Sequence, residues 1–200
     1  MKEIEAMMSE PKKKRFLQGN LWLVWLLFII LVIFLAKGLR LNPNLLPSQM
    51  IDKPFPVFNL KSVHDKKMIQ NSDILGKPCL VHVWATWCGV CLDEHQELIN
   101  IQNKWHPTIY SVSYKDQPER VLKWLSDNGD PYKLHINDNM GRLALDLGVY
   151  GTPETYVLDG NGVIKFRYVG GLNTNRFEKE ILPIIQQLET QMAVKNQQVG

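Results

Sequence analysis

Cys88 and Cys91 stand three apart in Trp87-Cys88-Gly89-Val90-Cys91. They follow directly on the apolar run from Cys79 to Ala85, which is Val-rich, bounded by Gly76 and Pro78, and reads as a buried parallel strand. Leu92 to Lys104 reads as a helix. Cys88 therefore falls where a strand hands over to a helix N-terminus. Unpaired backbone N–H groups there carry partial positive charge. A thiolate is stabilised at such a place, and cysteine pKa values fall from ~8.5 to between ~3.5 and ~7.5. Cys91 lies one turn later on the same face and can close a disulfide. The chemistry this permits is a two-electron dithiol/disulfide switch.

A metal reading competes with it. A structural zinc site needs four ligands, and the chain has no second C-x-x-C; Cys79 is its other cysteine. His95, four residues after Cys91, leaves open a metal- or haem-handling scaffold built on Cys88, Cys91 and His95. A c-type haem attachment signature would need His directly after the second Cys, where Leu92 stands.

The elements that must position the pair follow in order. Val57–Leu60 and Lys67–Ile69 read as short strands, and Cys79–Ala85 as the central one. Thr108–Ser113 and Leu134–Asn137 are further strands, with helices over Glu119–Asn128 and Met140–Leu147. Glu154–Leu158 and Val163–Val169 flank Asp159-Gly160-Asn161-Gly162, a strong hairpin signal. Thr174 is placed to cap a final helix toward Glu189, in which Pro183 should force a kink or a restart. Residues 191–200 read as a flexible tail. Strand–helix–strand–helix, then a hairpin and a helix, predicts an α/β fold: a mixed central sheet with helices on both faces. A C-x-x-C at its first strand-to-helix junction reads as thioredoxin-like.

An appendage precedes this domain. Phe16 to Ala36 holds no charged residue. At ~1.5 Å per residue it would extend about 30 Å, the thickness of a bilayer's hydrocarbon core. Lys12 to Arg15 precede it, and the heavier basic flank belongs in the cytoplasm. The expected order is a cytoplasmic basic N-terminus (1–15), an N-terminal transmembrane helix (16–36), a Pro-rich linker (37–56), the domain (57–190) and the tail. A cleaved signal peptide is the rival, although Phe34 ill suits its small-x-small site. Residues 1–40 hold seven Lys/Arg against three Asp/Glu; the other sixteen and seventeen lie in residues 41–200. The domain thus carries a net charge of −1, and nothing points to nucleic acid. About 150 residues outside the membrane can bury a core without disulfide staples, so a paired cysteine suggests a catalytic disulfide.

Trp84-Ala85-Thr86-Trp87-Cys88-Gly89-Val90-Cys91 resembles the thioredoxin-family active site. Further blocks resemble one branch of it, the membrane-anchored cytochrome c maturation reductases called CcmG or DsbE. These are Tyr114-Lys115-Asp116, Gly148 to Thr155, Asp159 to Ile164, and the linker stretch Leu46-Pro47-Ser48 to Lys53-Pro54. The resemblance implies Cys88 as nucleophile and Cys91 as resolving thiol, with no cofactor and no metal. It implies a cis Thr152–Pro153 bond facing the pair, with Thr152, Pro153, Glu154 and Trp87 at the substrate surface. Glu154 would help form an acidic face or be a solvated strand-start residue, and Trp87 would shield the buried sulfur. His82 departs from the buried Asp of thioredoxins; a proton relay to Cys91 and a satisfied core histidine both stand. Val90, where thioredoxin has Pro, should alter the redox potential. Cys79, at the far end of the strand, reads as a buried hydrophobe roughly 20 Å from Cys88. The implied partners are apocytochrome c, or a haem-ligation thiol protein, and a membrane thiol transporter of the DsbD or CcdA kind as electron donor. The implied location is the bacterial inner membrane, single-pass, with the catalytic domain in the periplasm. A general periplasmic disulfide reductase or isomerase is the alternative with the same chemistry.

Overall fold

The computed structural model describes residues 21–39, 50–65 and 67–199. The chain divides into two compact units, residues 1–45 and 46–200. In the first, Leu21–Leu39 forms helix α1, and every described side chain from Trp22 to Lys37 is exposed. Among the described residues no helix is long and apolar enough to cross a membrane. The basic run Lys12–Arg15, the start of the Phe16–Ala36 stretch and Leu46-Pro47-Ser48 lie outside the described residues.

The second unit is built on a five-stranded sheet of β3 (Cys79–Trp84), β4 (Ile109–Tyr114), β5 (Leu134–Asp138), β6 (Glu154–Leu158) and β7 (Ile164–Val169), in the order β5-β4-β3-β6-β7. β3, β4 and β5 are parallel; β6 and β7 run antiparallel. The sheet is mixed, as the element order predicts, and β3 is parallel to only one of its two neighbours. All six residues of β3 are buried, because helices cover both faces. Leu80, Trp84 and Val157 pack on one face with Leu98 and Ile101 of α2 (Gly89–Trp105) and Val121 and Leu125 of α3 (Pro118–Asn128). Val81, Val83 and Val112 pack on the other with Leu143 and Leu147, beside the short helix α4 (Arg142–Asp146). β1 (Asn59–Lys61) and β2 (Met68–Gln70) form a separate antiparallel pair, Leu60 opposite Ile69.

The β6–β7 turn forms where Asp159-Gly160-Asn161-Gly162 calls for it. Asp159 Oδ1 accepts the N–H groups of Asn161 and Val163, each at 2.9 Å, and Gly162 takes φ +80°. The C-terminal helix differs from its sequence reading at both ends. Asn173 is the cap, accepting Arg176 N–H at 2.9 Å; Thr174 is the first residue of the helical turn α5 (Thr174–Arg176) and donates to the Glu97 carboxylate instead. Pro183 does force a restart: a π-helical turn, Phe177–Ile181, precedes α6 (Leu182–Val199). Its wider turn lets Leu182 N–H bond to Phe177 O just before the residue that has no N–H to offer. The helix continues past Thr190 to Val199, through the stretch that reads as a tail.

Glu154 requires a correction. It is neither solvated nor on an acidic face: it is 0% exposed. The reason is its place in β6, between Val83 of β3 and Val169 of β7. Arg167 on β7 meets its two oxygens through Nε and Nη2, both at 2.8 Å. The Tyr156 hydroxyl donates to it at 2.7 Å and Tyr150 N–H at 3.3 Å. Burial first, then the adjacent carboxylate, raises the Tyr156 hydroxyl well above its ordinary pKa, so it remains a donor. A buried pair that loses one partner leaves a bare charge, at a cost of about 3–5 kcal/mol. Arg167→Met should therefore lower unfolding stability by that amount in urea titration, and adding Glu154→Gln should recover much of it. A loss below about 1 kcal/mol for Arg167→Met would contradict this reading.

Candidate active site

β3 ends at Trp84 and α2 begins at Gly89, which leaves four residues to make the junction. Asp116, buried after β4, fixes it from beside: its Oδ2 accepts Thr86 N–H at 2.6 Å and its Oδ1 accepts Gln117 N–H at 2.8 Å. Cys88 N–H bonds to Ala85 O at 3.2 Å. Cys88 is then the N-cap of α2, in extended backbone (φ −95°, ψ 107°), and its Sγ accepts the Cys91 N–H at 3.2 Å. The sulfur occupies the position where a cap oxygen satisfies an orphan N–H.

The two sulfurs are joined in a disulfide with a Cα–Cα distance of 5.3 Å. They differ in access: Cys88 is 7% exposed and Cys91 1%. The Thr152–Pro153 peptide is cis, and Thr152 O lies 3.4 Å from Cys88 Sγ. A disulfide sulfur has no proton, so that approach is a contact rather than a hydrogen bond. Pro153 O accepts Gly170 N–H at 2.9 Å, which ties the loop to the end of β7. The structure thus brings the sequence-selected Thr152 against Cys88, with Cys91 and Pro153 buried behind them. Trp87 joins them differently from the expectation of a shield. It is 53% exposed, and its indole N–H donates to Lys115 O at 3.2 Å. Glu154, buried beneath, offers nothing to a docked molecule. Val90 and Tyr150 are exposed beside these loops.

Behind the pair lies a polar group set of which sequence reasoning found one member. His82 on β3 is fully enclosed, its Nδ1 2.9 Å from the Tyr132 hydroxyl and its Nε2 3.0 Å from Glu94 Oε1. Both ring nitrogens have partners, as a satisfied core histidine requires. Glu94 also accepts Leu172 N–H on Oε2. Burial, with the Glu94 charge next, raises the Tyr132 hydroxyl well above its usual pKa. Glu94 was legible in one respect: Cys91, Glu94, Leu98 and Ile101 share helical spacing and are all buried on α2. A carboxylate on that stripe signals an internal partner.

The remaining candidates lie elsewhere. His95 turns toward the loop after α3, its Nε2 2.9 Å from Gly129 O and its ring against Trp84 and Trp124. Burial lowers its pKa. Among the described residues, Cys88, Cys91 and His95 do not gather as a metal-ligand set. Cys79 sits at the opposite end of β3, buried, with its thiol pushed up to about 12 by burial.

A dithiol/disulfide at a helix N-terminus, facing a cis-proline loop, is equipped for thiol–disulfide exchange, and comparison with known proteins agrees. Residues 51–167 match the AhpC/TSA family. The chain is 50% identical over 144 residues to the thiol:disulfide interchange protein DsbE of Pseudomonas fluorescens biotype C, covering 72% of this chain and 80% of that one. It is 42% identical over 171 residues to DsbE of Escherichia coli K12, covering 79% and 92%. In fold it is similar to a secreted thiol-disulfide isomerase from Corynebacterium glutamicum, with a TM-score of 0.56 at 22% identity, over 66% of this chain and 85% of that structure. With its paired cysteines on a thioredoxin-like α/β scaffold, the chain belongs to the DsbE family of thiol:disulfide interchange proteins.

Proposed function

We propose that the protein reduces disulfides in the bacterial periplasm, held at the inner membrane by its N-terminal segment, and that its substrate is the haem-attachment cysteine pair of apocytochrome c or of a thiol protein carrying it. The observation that carries the chemistry is Cys88 Sγ at the N-cap of α2, receiving the Cys91 N–H. The anchor rests on the uncharged stretch Phe16–Ala36, of which α1 covers part with apolar side chains exposed.

The proposed sequence of steps is as follows. Reduced Cys88, as thiolate, attacks one sulfur of a substrate disulfide. A Cys88–substrate disulfide forms and the other substrate sulfur leaves as a thiolate. Cys91 gives up its proton and attacks Cys88 Sγ, which closes the Cys88–Cys91 disulfide and releases the second substrate thiolate. Two electrons have moved to the substrate, whose sulfurs take up two protons. A second dithiol, of a membrane thiol transporter of the DsbD or CcdA kind, returns the pair to its reduced form. Thr152 and Pro153 border Cys88 and would hold an extended segment of substrate by backbone contacts. Exposed Trp87 would contribute apolar contact. Enclosed Glu94, one turn from Cys91 on α2, and its partner His82 would manage the Cys91 proton.

Cys91→Ala, reduced and mixed with an oxidised Cys-x-x-Cys-His peptide, should accumulate a covalent adduct through Cys88 that dithiothreitol dissolves. The Cys88→Ala variant should form none. No adduct, or one that survives reductant, contradicts the scheme; equal rates with insulin and with the peptide would favour a general reductase. In the folded, reduced wild-type protein at pH 8, iodoacetamide should label Cys88 first and leave Cys79 unmodified until denaturant is added, because the Cys79 thiol ionises only near 12. Rapid native labelling of Cys79, read by peptide mass, would contradict its assigned burial.

A further inference from the structure

A second cluster of chemically competent side chains lies away from the cysteine pair and takes no part in the exchange. His64 stands in the turn between β1 and β2, Asp130 in the loop between α3 and β5, and His135 on the edge strand β5. One ligand atom from each lies within 4.8 Å of the other two. His135 is 3% exposed, while His64 and Asp130 are open to solvent. The three line a cleft of about 460 Å³. His135 pairs with Ser111 on β4, which pairs with His82 on β3. Two strand spacings, roughly 10 Å, therefore separate this cluster from the histidine behind the active site.

The donors are held close together by contacts of their own. Asp130 Oδ2 is 2.9 Å from His135 Nε2, and Asp130 Oδ1 accepts Tyr132 N–H at 2.9 Å, which holds the carboxylate in place. The His64 and His135 rings meet edge to face with centroids 4.7 Å apart. Ser62 Oγ accepts His64 N–H at 3.1 Å and so fixes the turn that carries the ring. Among the described residues, His135 Nδ1 is buried with no hydrogen-bond partner. A buried polar atom without a partner is uncommon. It means that His135 exchanges at most one protein hydrogen bond on ligating a metal, whichever nitrogen is used.

We propose that His64, Asp130 and His135 form a binding site for a divalent cation of the zinc type. Two imidazoles and one carboxylate match what zinc accepts, with ligand bonds of about 2.0–2.2 Å and hence ligand atoms roughly 3.3 Å apart in a tetrahedron. Reaching that spacing from within 4.8 Å needs side-chain rotation, and exposed His64 is free to supply it. The cleft leaves room for a water as fourth ligand. A bound ion would join the β1–β2 turn to the sheet edge and to the α3–β5 loop. It would stabilise the folded state in proportion to its occupancy, since the three donors are brought together only by folding. Tyr132 touches both regions, its N–H bonded to Asp130 and its hydroxyl to His82. The redox reaction does not require the ion, and the proposal stands apart from the choice of redox substrate.

The test uses the untagged full-length chain in detergent, in the oxidised form so that Cys88 and Cys91 are held in their disulfide and cannot bind metal. Calorimetric titration with zinc chloride should give one equivalent bound and a raised thermal midpoint. His64→Ala removes an exposed ligand and should leave the metal-free midpoint unchanged, while weakening zinc binding about 10- to 100-fold. Asp130→Asn, which keeps an acceptor for His135, should weaken it similarly, and His106→Ala should leave zinc affinity unchanged. Cobalt bound by the wild type should show visible bands that His64→Ala loses. Absence of stoichiometric zinc binding, or binding by His64→Ala and Asp130→Asn as tight as by the wild type, would overturn the proposal.

Discussion

The site depends on one junction, where a strand enclosed on both faces runs within four residues into a helix whose first N–H groups have no helical partner. β3 is held by neighbours on either side and cannot shift without exposing its apolar residues. Its end therefore delivers Cys88 to a fixed point, and the helix start supplies the Cys91 N–H to its sulfur. The same geometry separates the two sulfurs. The one that caps the helix borders the surface, and the one a turn later is sealed beneath it. The unequal exposure of the two sulfurs thus follows from the position of the helix terminus.

Besides Asp116, two buried glutamates flank this junction, and the fold deals with them differently. Glu154 is matched by the fixed charge of Arg167 and by a tyrosine hydroxyl, which ties β6 to β7 directly after the cis-proline loop. Glu94 is matched by the ring of His82 and by the Leu172 N–H. The first arrangement holds a loop in place. The second sets a hydrogen-bonded carboxylate inside the core, on the same helix face as Cys91. Buried charge is costly without partners, so both sets of contacts are conditions for the scaffold to exist as well as for the site.

What was legible in the sequence follows from the range of the interactions. Cys88 and Cys91 were legible because their chemistry depends on spacing along three residues and on the strand and helix that adjoin them. The hairpin at Asp159–Gly162 and the restart at Pro183 were legible for the same local reason. The cis Thr152–Pro153 peptide was expected from resemblance, since an X–Pro pair alone is an ordinary turn. Glu154 was misread because a charge at a strand start is usually solvated, and its partner Arg167 comes from the next strand. Glu94 and Tyr132 escaped notice because the contacts that identify them bridge 12, 50 and 78 residues. That β3 is a buried parallel strand is legible in its apolar run, whereas its antiparallel pairing becomes clear only once the hairpin is inserted at its side.

The most direct test of this account is titration of the thiolate absorbance of the reduced protein near 240 nm, with Cys91→Ala and Cys88→Ala measured alongside. If the N-terminus of α2 stabilises the charged sulfur of Cys88, one thiolate should appear with a midpoint below ~7.5, and it should vanish in Cys88→Ala alone. A first midpoint at or above the ordinary ~8.5 would contradict the account.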